Sequence, residues 1–176
     1  MADAARAIDR GRSFRREGRL EEARAAYAQA ILDAREGPPA PLVEALKGLA
    51  QIERDLGRPG AAVPLYEEAA ALCRTAEPLS FAHTVRHLGD ALRESGSAGR
   101  AETCYREALG VYRGHRETPP LDLANAIRPL AILAERAGNT DEARRLWHEA
   151  RDLYAAAGVE AGFSECAARL AALPPA

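Results

Sequence analysis

Apolar positions in this chain follow two alternating registers that together predict pairs of helices. Three segments, LVEALKGLAQIERDLG (42–57), FAHTVRHLGDALRESG (81–96) and LANAIRPLAILAERAG (123–138), align place by place. The first place is Leu42, Phe81 or Leu123, the fifth Leu46, Val85 or Ile127, and the eighth Leu49, Leu88 or Leu130. A small residue follows at the ninth place: Ala50, Gly89 or Ala131. This i, i+4, i+7, i+8 spacing marks one face of a helix, and the small ninth residue lets a neighbouring helix approach closely. Ile8, Gly11 and Phe14 keep a degenerate version of the pattern ahead of Gly18.

Each segment ends on a glycine that opens a second pattern. The four copies are GRLEEARAAYAQA (18–30), GRPGAAVPLYEEA (57–69), GSAGRAETCYREA (96–108) and GNTDEARRLWHEA (138–150). Gly stands first, Ala sixth, Tyr or Trp tenth and Ala thirteenth. Gly18, Gly57, Gly96 and Gly138 are therefore expected to stop the first helix in a left-handed conformation. Tyr27, Tyr66, Tyr105 and Trp147 are expected to enter slots walled by alanines, Trp147 against the C-terminal helix.

The glycines step by 39, 39 and 42 residues. A fixed period in this range belongs to a repeat array, whose units cannot bury their apolar faces alone. Proline-bearing loops are expected at 36–41, 75–80 and 115–120, and the three extra residues of the long period between 108 and 120, around Gly114. The predicted architecture is all-α: one domain over 1–176, with helix pairs at about 3–37, 41–76, 80–115 and 121–158. A capping helix follows at 160–173, ended by Pro174 and Pro175.

The pattern of Gly, Ala five later, an aromatic four later and Ala three later resembles the second half of a tetratricopeptide repeat. Leu88-Gly89, with Leu49-Ala50 and Leu130-Ala131 as variants, resembles the first half. The period is longer than that family's 34 residues, and the string Ala62-Val63-Pro64-Leu65-Tyr66 is similar to the longer repeats of kinesin light chains and many bacterial proteins. The resemblance implies a right-handed α-solenoid whose first helices line a concave groove that binds peptides or protein segments. The family's carboxylate clamp of Lys and Asn is not matched: the corresponding places of the first repeat hold Ile8 and Arg12.

Composition narrows the function. A net charge of −2 argues against non-specific nucleic-acid binding. No apolar run reaches the ~20 residues of a membrane span, and the charged N-terminus does not read as a signal peptide. A complete cytoplasmic chain starting at Met1 is expected. Cys73, Cys104 and Cys166, odd in number and without a CxxC, suggest small core residues in a reducing compartment. All but one of the 24 basic residues are Arg; Lys47 is the exception.

On the first helices, Arg12, Arg15, Arg16, Lys47, Arg54, Arg86, Arg93, Arg128 and Arg136 outnumber Glu44, Asp55, Asp90, Glu94 and Glu135. This ladder suggests an acidic ligand, gripped by Arg; the bland alternative is a solvated face paired along its own helices, as Arg86 with Asp90. The candidate groove set is Arg12, Arg15, Arg16, Lys47, Gln51, Arg54, His83, Arg86, His87, Asp90, Arg93, Asn125 and Arg128. Pro129, inside a predicted helix, suggests a kink that frees the carbonyl of Asn125. His83 and His87 are four apart, as in a metal pair, but HTVRH lacks the Glu of a zinc protease. His115 and His148 read as loop and surface residues.

No metal or other cofactor is expected. The expected function is a non-catalytic interaction module for an acidic peptide or helix. One alternative is a self-associating scaffold, in which Ile8 and Phe14 lie near an uncapped N-terminal end; a metal-dependent enzyme at His83 and His87 is the weakest.

Overall fold

The computed structural model describes residues 2–174, so the expected start at Met1 and the expected stop at Pro175 lie outside the described residues. Nine helices and no strand occur among the described residues: α1 (Ala2–Arg16), α2 (Leu20–Ala34), α3 (Pro39–Asp55), α4 (Pro59–Cys73), α5 (Pro78–Glu94), α6 (Ala98–Gly114), α7 (Pro120–Arg136), α8 (Thr140–Ala156) and α9 (Glu160–Ala172). None of them is long and apolar enough to cross a membrane. The helices gather into two compact units, Met1–Ala101 and Glu102–Ala176, divided within α6.

The glycine stops form as the sequence predicts. Gly18, Gly57, Gly96 and Gly138 have φ of 76°, 74°, 87° and 75°, and Gly158, between α8 and α9, joins them at 69°. At each stop the residue after the glycine donates its N–H five residues back: Arg19 to Phe14 (2.9 Å), Arg58 to Glu53 (2.8 Å), Ser97 to Leu92 (2.7 Å), Asn139 to Ala134 (2.9 Å) and Val159 to Tyr154 (2.9 Å). This six-to-one bond consumes a carbonyl that the helix end would otherwise orphan.

The proline stretches differ from expectation. Helices begin at Pro39, Pro78 and Pro120, ahead of the expected 41, 80 and 121, so these prolines occupy first helical positions. Proline fits there because its missing N–H has no intrahelical partner in any case and its φ is already helical. The long period also resolves differently. Gly114 is the last residue of α6, which has 17 residues where α2 and α4 have 15. Two of the three extra residues thus extend a helix and one lengthens the following loop. The buried Thr118 hydroxyl donates to Tyr112 O at 2.8 Å, tying the longer loop onto the extra turn.

Pro129 does not interrupt α7, which runs unbroken from Pro120 to Arg136 with the ring buried. Proline has no N–H to offer the Asn125 carbonyl, and α7 carries that loss without a break. The side chain of Asn125 accepts a hydrogen bond from Tyr154 Oη at 3.0 Å.

The repeated aromatics are the largest buried side chains: Tyr27 is 5% exposed, Tyr66 1%, and Tyr105 and Trp147 0%. In the N-terminal unit two small residues admit an aromatic ring: Gly11, at the ninth-place register as predicted, and Gly48, two places before Ala50, which the pattern did not single out. A Cβ on Gly11 of α1 would lie 2.8 Å from the Tyr27 ring, and one on Gly48 of α3 would lie 2.2 Å from it. The ring is thus held between two glycine backbones. Cys73 and Cys166 are buried, as expected for small core residues, while Cys104 is only half-buried. Burial pushes the Cys166 thiol up to about 11. Ile8, expected near an uncapped end, is buried (3% exposed), and the Arg19 guanidinium covers the Phe14 ring at 4.3 Å.

Candidate functional site

The first-helix cations of the N-terminal unit are not a free ladder. Three of them, Arg12, Arg15 and Arg54, are tied from one first helix to the next. Arg15 Nε donates to Asp55 Oδ2 at 2.7 Å, and Arg54 forms a two-pronged pair with Glu94, at 2.9 and 2.6 Å. Both pairs span 40 residues, one more than the period. An Arg three residues before one glycine therefore meets the carboxylate two residues before the next. Arg12 pairs with Glu44 across helices and with Asp9 on its own helix. Of the pairings expected along one helix, Arg86 with Asp90 forms at 3.4 Å.

Arg54 is the hub of a half-buried polar cluster on α3, α4 and α5. Its side chain is 13% exposed; it donates to Gln51 Oε1 at 3.3 Å and lies 3.8 Å from Asp90. Gln51 in turn donates to Asp55 at 2.8 Å. Burial works against the Arg54 charge, but the hydrogen bonds to Glu94 and the fields of Asp90 and Glu94 outweigh it and raise its pKa. Burial likewise opposes the Asp90 carboxylate, and His87, Arg86 and Arg54 together still hold its pKa low. Arg93 lies 3.5 Å from Glu94.

The two histidines are packed as rings. His83 and His87 meet edge to face at 4.5 Å, and Tyr66 stacks on His87 at 6.0 Å. Arg86 Nη2 sits 2.8 Å from His87 Nε2, and His87 Nδ1 is 3.4 Å from Asp90 Oδ2. Nε2 therefore accepts from Arg86 while Nδ1–H faces Asp90, the arrangement of a neutral imidazole. Burial lowers the pKa of His87 against the pull of Asp90. Burial, helped by His87, Lys47 and Arg86, pushes His83 down to about 3. Both ring nitrogens of His87 are thus engaged. Among the described residues no group of three His, Cys, Asp or Glu side chains is placed to hold a metal ion.

Two of the candidate cations in the N-terminal unit stand apart. Arg16 is exposed and Lys47 half-buried, and neither has an ion-pair partner among the described residues. Burial lowers the pKa of Lys47. Arg16 also borders a cavity of about 480 Å³ on the N-terminal unit, lined by Arg12, Arg15, Arg16, Tyr27 and Asp55.

In the C-terminal unit the remaining candidates hold the fold. Arg128 grips Glu165 of α9 through two bonds of 2.7 Å, and Asn125 holds Tyr154 of α8. Trp147 Nε1 donates to Glu135 at 3.2 Å, Arg169 of α9 pairs with Glu135 at 3.1 Å, and the Arg169 guanidinium lies 5.9 Å from the Trp147 ring centre. Trp147 thus packs against the cap, as the sequence suggested. His115 and His148 are exposed, and His115 Nδ1 lies 2.7 Å from Val111 O at the end of α6.

The aromatic tips explain a substitution along the ladder. Tyr66 is hydrogen-bonded by Arg54, three residues before its glycine, whereas Trp147 is met there by Glu135. A phenol oxygen can accept from Arg, while an indole N–H only donates and requires an acceptor. The change from Arg to Glu accompanies the change from Tyr to Trp. Sequence reasoning missed Glu53, 5% exposed on α3, which binds Arg24 at 2.6 Å and lies 3.9 Å from Arg58. Its register holds Phe14, Leu92 and Ala134 in the other repeats, and that apolar register was the signal that Glu53 is buried.

Residues 3–75 match the sequence model of the Tetratricopeptide repeat. The match spans α1 to α4, the first two helix pairs. No curated protein matches it in sequence. Among solved structures, BtubC (BKLC) from P. vanneervenii aligns with a TM-score of 0.70 at 19% identity, over 96% of this chain and 87% of that one. A MamA protein aligns with a TM-score of 0.66 at 18% identity, over 97% of this chain and 91% of that one. A MamA structure labelled AMB-1 aligns at 0.62 and 21% identity, covering 86% and 78%. At these identities the likeness concerns the fold alone, an all-α repeat fold over nearly the whole chain. Tetratricopeptide repeats as a class mediate protein–protein contact or scaffolding and are typically non-catalytic.

Proposed function

We propose that this chain is a non-catalytic interaction module and that the first-helix face of its N-terminal unit binds an acidic protein segment. The observation that carries the reading is the pair of uncompensated cations, Arg16 on α1 and Lys47 on α3, on a face where the other cations are already matched by carboxylates. An ammonium held half-buried without a counter-ion is costly, and a carboxylate from a partner relieves that cost. The paired residues Arg15, Arg54, Arg86 and Arg93 then act as a rigid, pre-organised frame. Nothing in this reading calls for nucleic acid, membrane or a cofactor.

The division of labour among the cations decides which variants test it. Reversing Arg54 breaks the tie between α3 and α5, so lost binding there reports lost structure. Arg16→Glu and Lys47→Glu leave every ion pair described above intact. Fluorescence anisotropy of a labelled hexa-aspartate peptide at low salt is expected to show binding that weakens at least about tenfold in the double variant. Equal affinity of the double variant and the parent chain defeats the proposal. Light scattering across a concentration series separates it from self-association, since a concentration-independent monomer removes a scaffold of copies as the activity.

A further inference from the structure

The cavity bounded by α1, α2 and α3 carries a feature that acidic-segment binding alone does not explain. Tyr27 is 5% exposed, lines the cavity and makes no hydrogen bond through its hydroxyl to another described residue. Other aromatic tips are satisfied: Tyr66 by Arg54, Trp147 by Glu135 and Tyr154 by Asn125. Burial raises the Tyr27 pKa against the pull of Arg12 and Arg15, so the phenol keeps its proton and is a donor at neutral pH. A phenol hydroxyl that spends no hydrogen bond on a neighbouring side chain is available to a ligand. Its ring is hemmed in, because the backbones of Gly11 and Gly48 lie against its two opposite edges.

The other donors around the cavity determine what fits. Arg15 spends its Nε on Asp55 and keeps its terminal nitrogens, while Arg16 spends none of its five N–H groups on an ion pair. Arg12 is shared between Asp9 and Glu44. Asp55 already answers Arg15, and Asp9 and Glu44 answer Arg12. One further monoanion with two oxygens leaves part of this donor set unused. A dianion with three terminal oxygens engages the Arg16 fork, the free nitrogens of Arg15 and the Tyr27 hydroxyl together. The roughly 480 Å³ also exceeds what a bare anion fills, leaving room for the side chain and backbone that carry it.

We propose that this cavity receives a phosphorylated side chain of the partner segment, held by Arg15, Arg16 and the Tyr27 hydroxyl. The inference rests on the acidic-segment reading and gives it a switch, since phosphorylation of the partner sets the affinity. Tyr27→Phe removes one oxygen from a fixed ring, and Arg16→Gln alters an exposed side chain, so both variants keep the fold.

The test is titration of N-acetyl-phosphoserine methylamide, and separately of N-acetyl-aspartate methylamide, into the isotope-labelled full chain at pH 7.5, following the arginine Nε–Hε resonances. The phosphoserine compound is expected to move the Arg15 and Arg16 signals and to bind about tenfold or more tighter than the aspartate compound. Tyr27→Phe and Arg16→Gln are each expected to weaken it by about tenfold. Equal affinity for the two compounds overturns the phosphoryl assignment and leaves the acidic-segment reading standing. Saturable binding untouched by Tyr27→Phe and Arg16→Gln places the ligand elsewhere and also overturns it. No movement of the Arg15 and Arg16 signals overturns the cavity as an anion site, whatever the hexa-aspartate peptide does.

Discussion

Replacing Gly48 by Ala tests the packing that holds Tyr27 in place. An added Cβ would stand 2.2 Å from ring atom Cε1 and 2.6 Å from Cδ1 and Cζ, distances that real Cβ atoms essentially never show. The ring cannot yield, because the Gly11 backbone lies where a Cβ would be 2.8 to 2.9 Å from its opposite edge. Overpacking of this kind costs about 1–3 kcal/mol, and the two-sided clamp places this site toward the upper end. Alanine in a helix interior returns about 1 kcal/mol over glycine. The expected net loss is about 1–2 kcal/mol, or a Tm about 2–8 °C lower. Gly110→Ala supplies the opposite sign, since a Cβ there meets nothing within 4 Å in the middle of α6. That variant is expected to gain up to about 1 kcal/mol. Urea unfolding followed by far-UV circular dichroism measures both. A Gly48→Ala chain as stable as Gly110→Ala refutes the clamp.

The buried histidines make stability fall in acid. His83 goes from an ordinary 6.5 in the unfolded chain to about 3 when folded, so the unfolded state binds more protons below 6.5. Its contribution is intact above that value and is lost as pH falls toward 3. Between pH 7 and 5 the loss is about 2 kcal/mol, read from urea midpoints, and His83→Gln is expected to flatten that dependence. Arg54→Ala leaves Glu94 without its two-pronged partner and removes one of the cations holding Asp90, at a cost of about 1–3 kcal/mol in the same assay. Arg54→Lys recovers little of it because an ammonium cannot reproduce the fork. Glu135→Ala orphans the Trp147 indole N–H and releases Arg169, and is expected to cost about 1–3 kcal/mol and to speed amide exchange in α9. Glu135→Gln, which keeps an acceptor, is expected to cost less.

What the sequence made legible was what repeats. Gly57, Ala62, Tyr66 and Ala69 recur with a fixed offset, so their helix stops and slots follow from local geometry alone. The prolines were seen in register but assigned to loops, because proline's loop preference and its fitness for a first helical turn look alike until the chain is folded. The pairing of Arg15 with Asp55 and Arg54 with Glu94 was invisible because it joins residues 40 apart through side-chain reach. One signal of it was present in the exchange of Arg for Glu135 where Tyr becomes Trp147. Arg16 looks like its neighbours in sequence, and Lys47, though the one lysine, carries no mark there of being unpaired. Only the structure separates them, by showing that their neighbours are already engaged.

The most direct measurement for binding on the first-helix face is a map of backbone amide shifts when the hexa-aspartate peptide is added to the labelled chain. The account predicts perturbations concentrated on α1, α3 and α5, around Arg16 and Lys47, and lost in the Arg16→Glu/Lys47→Glu variant. Perturbations concentrated on α2 and α4, or shifts unchanged in that variant, contradict it.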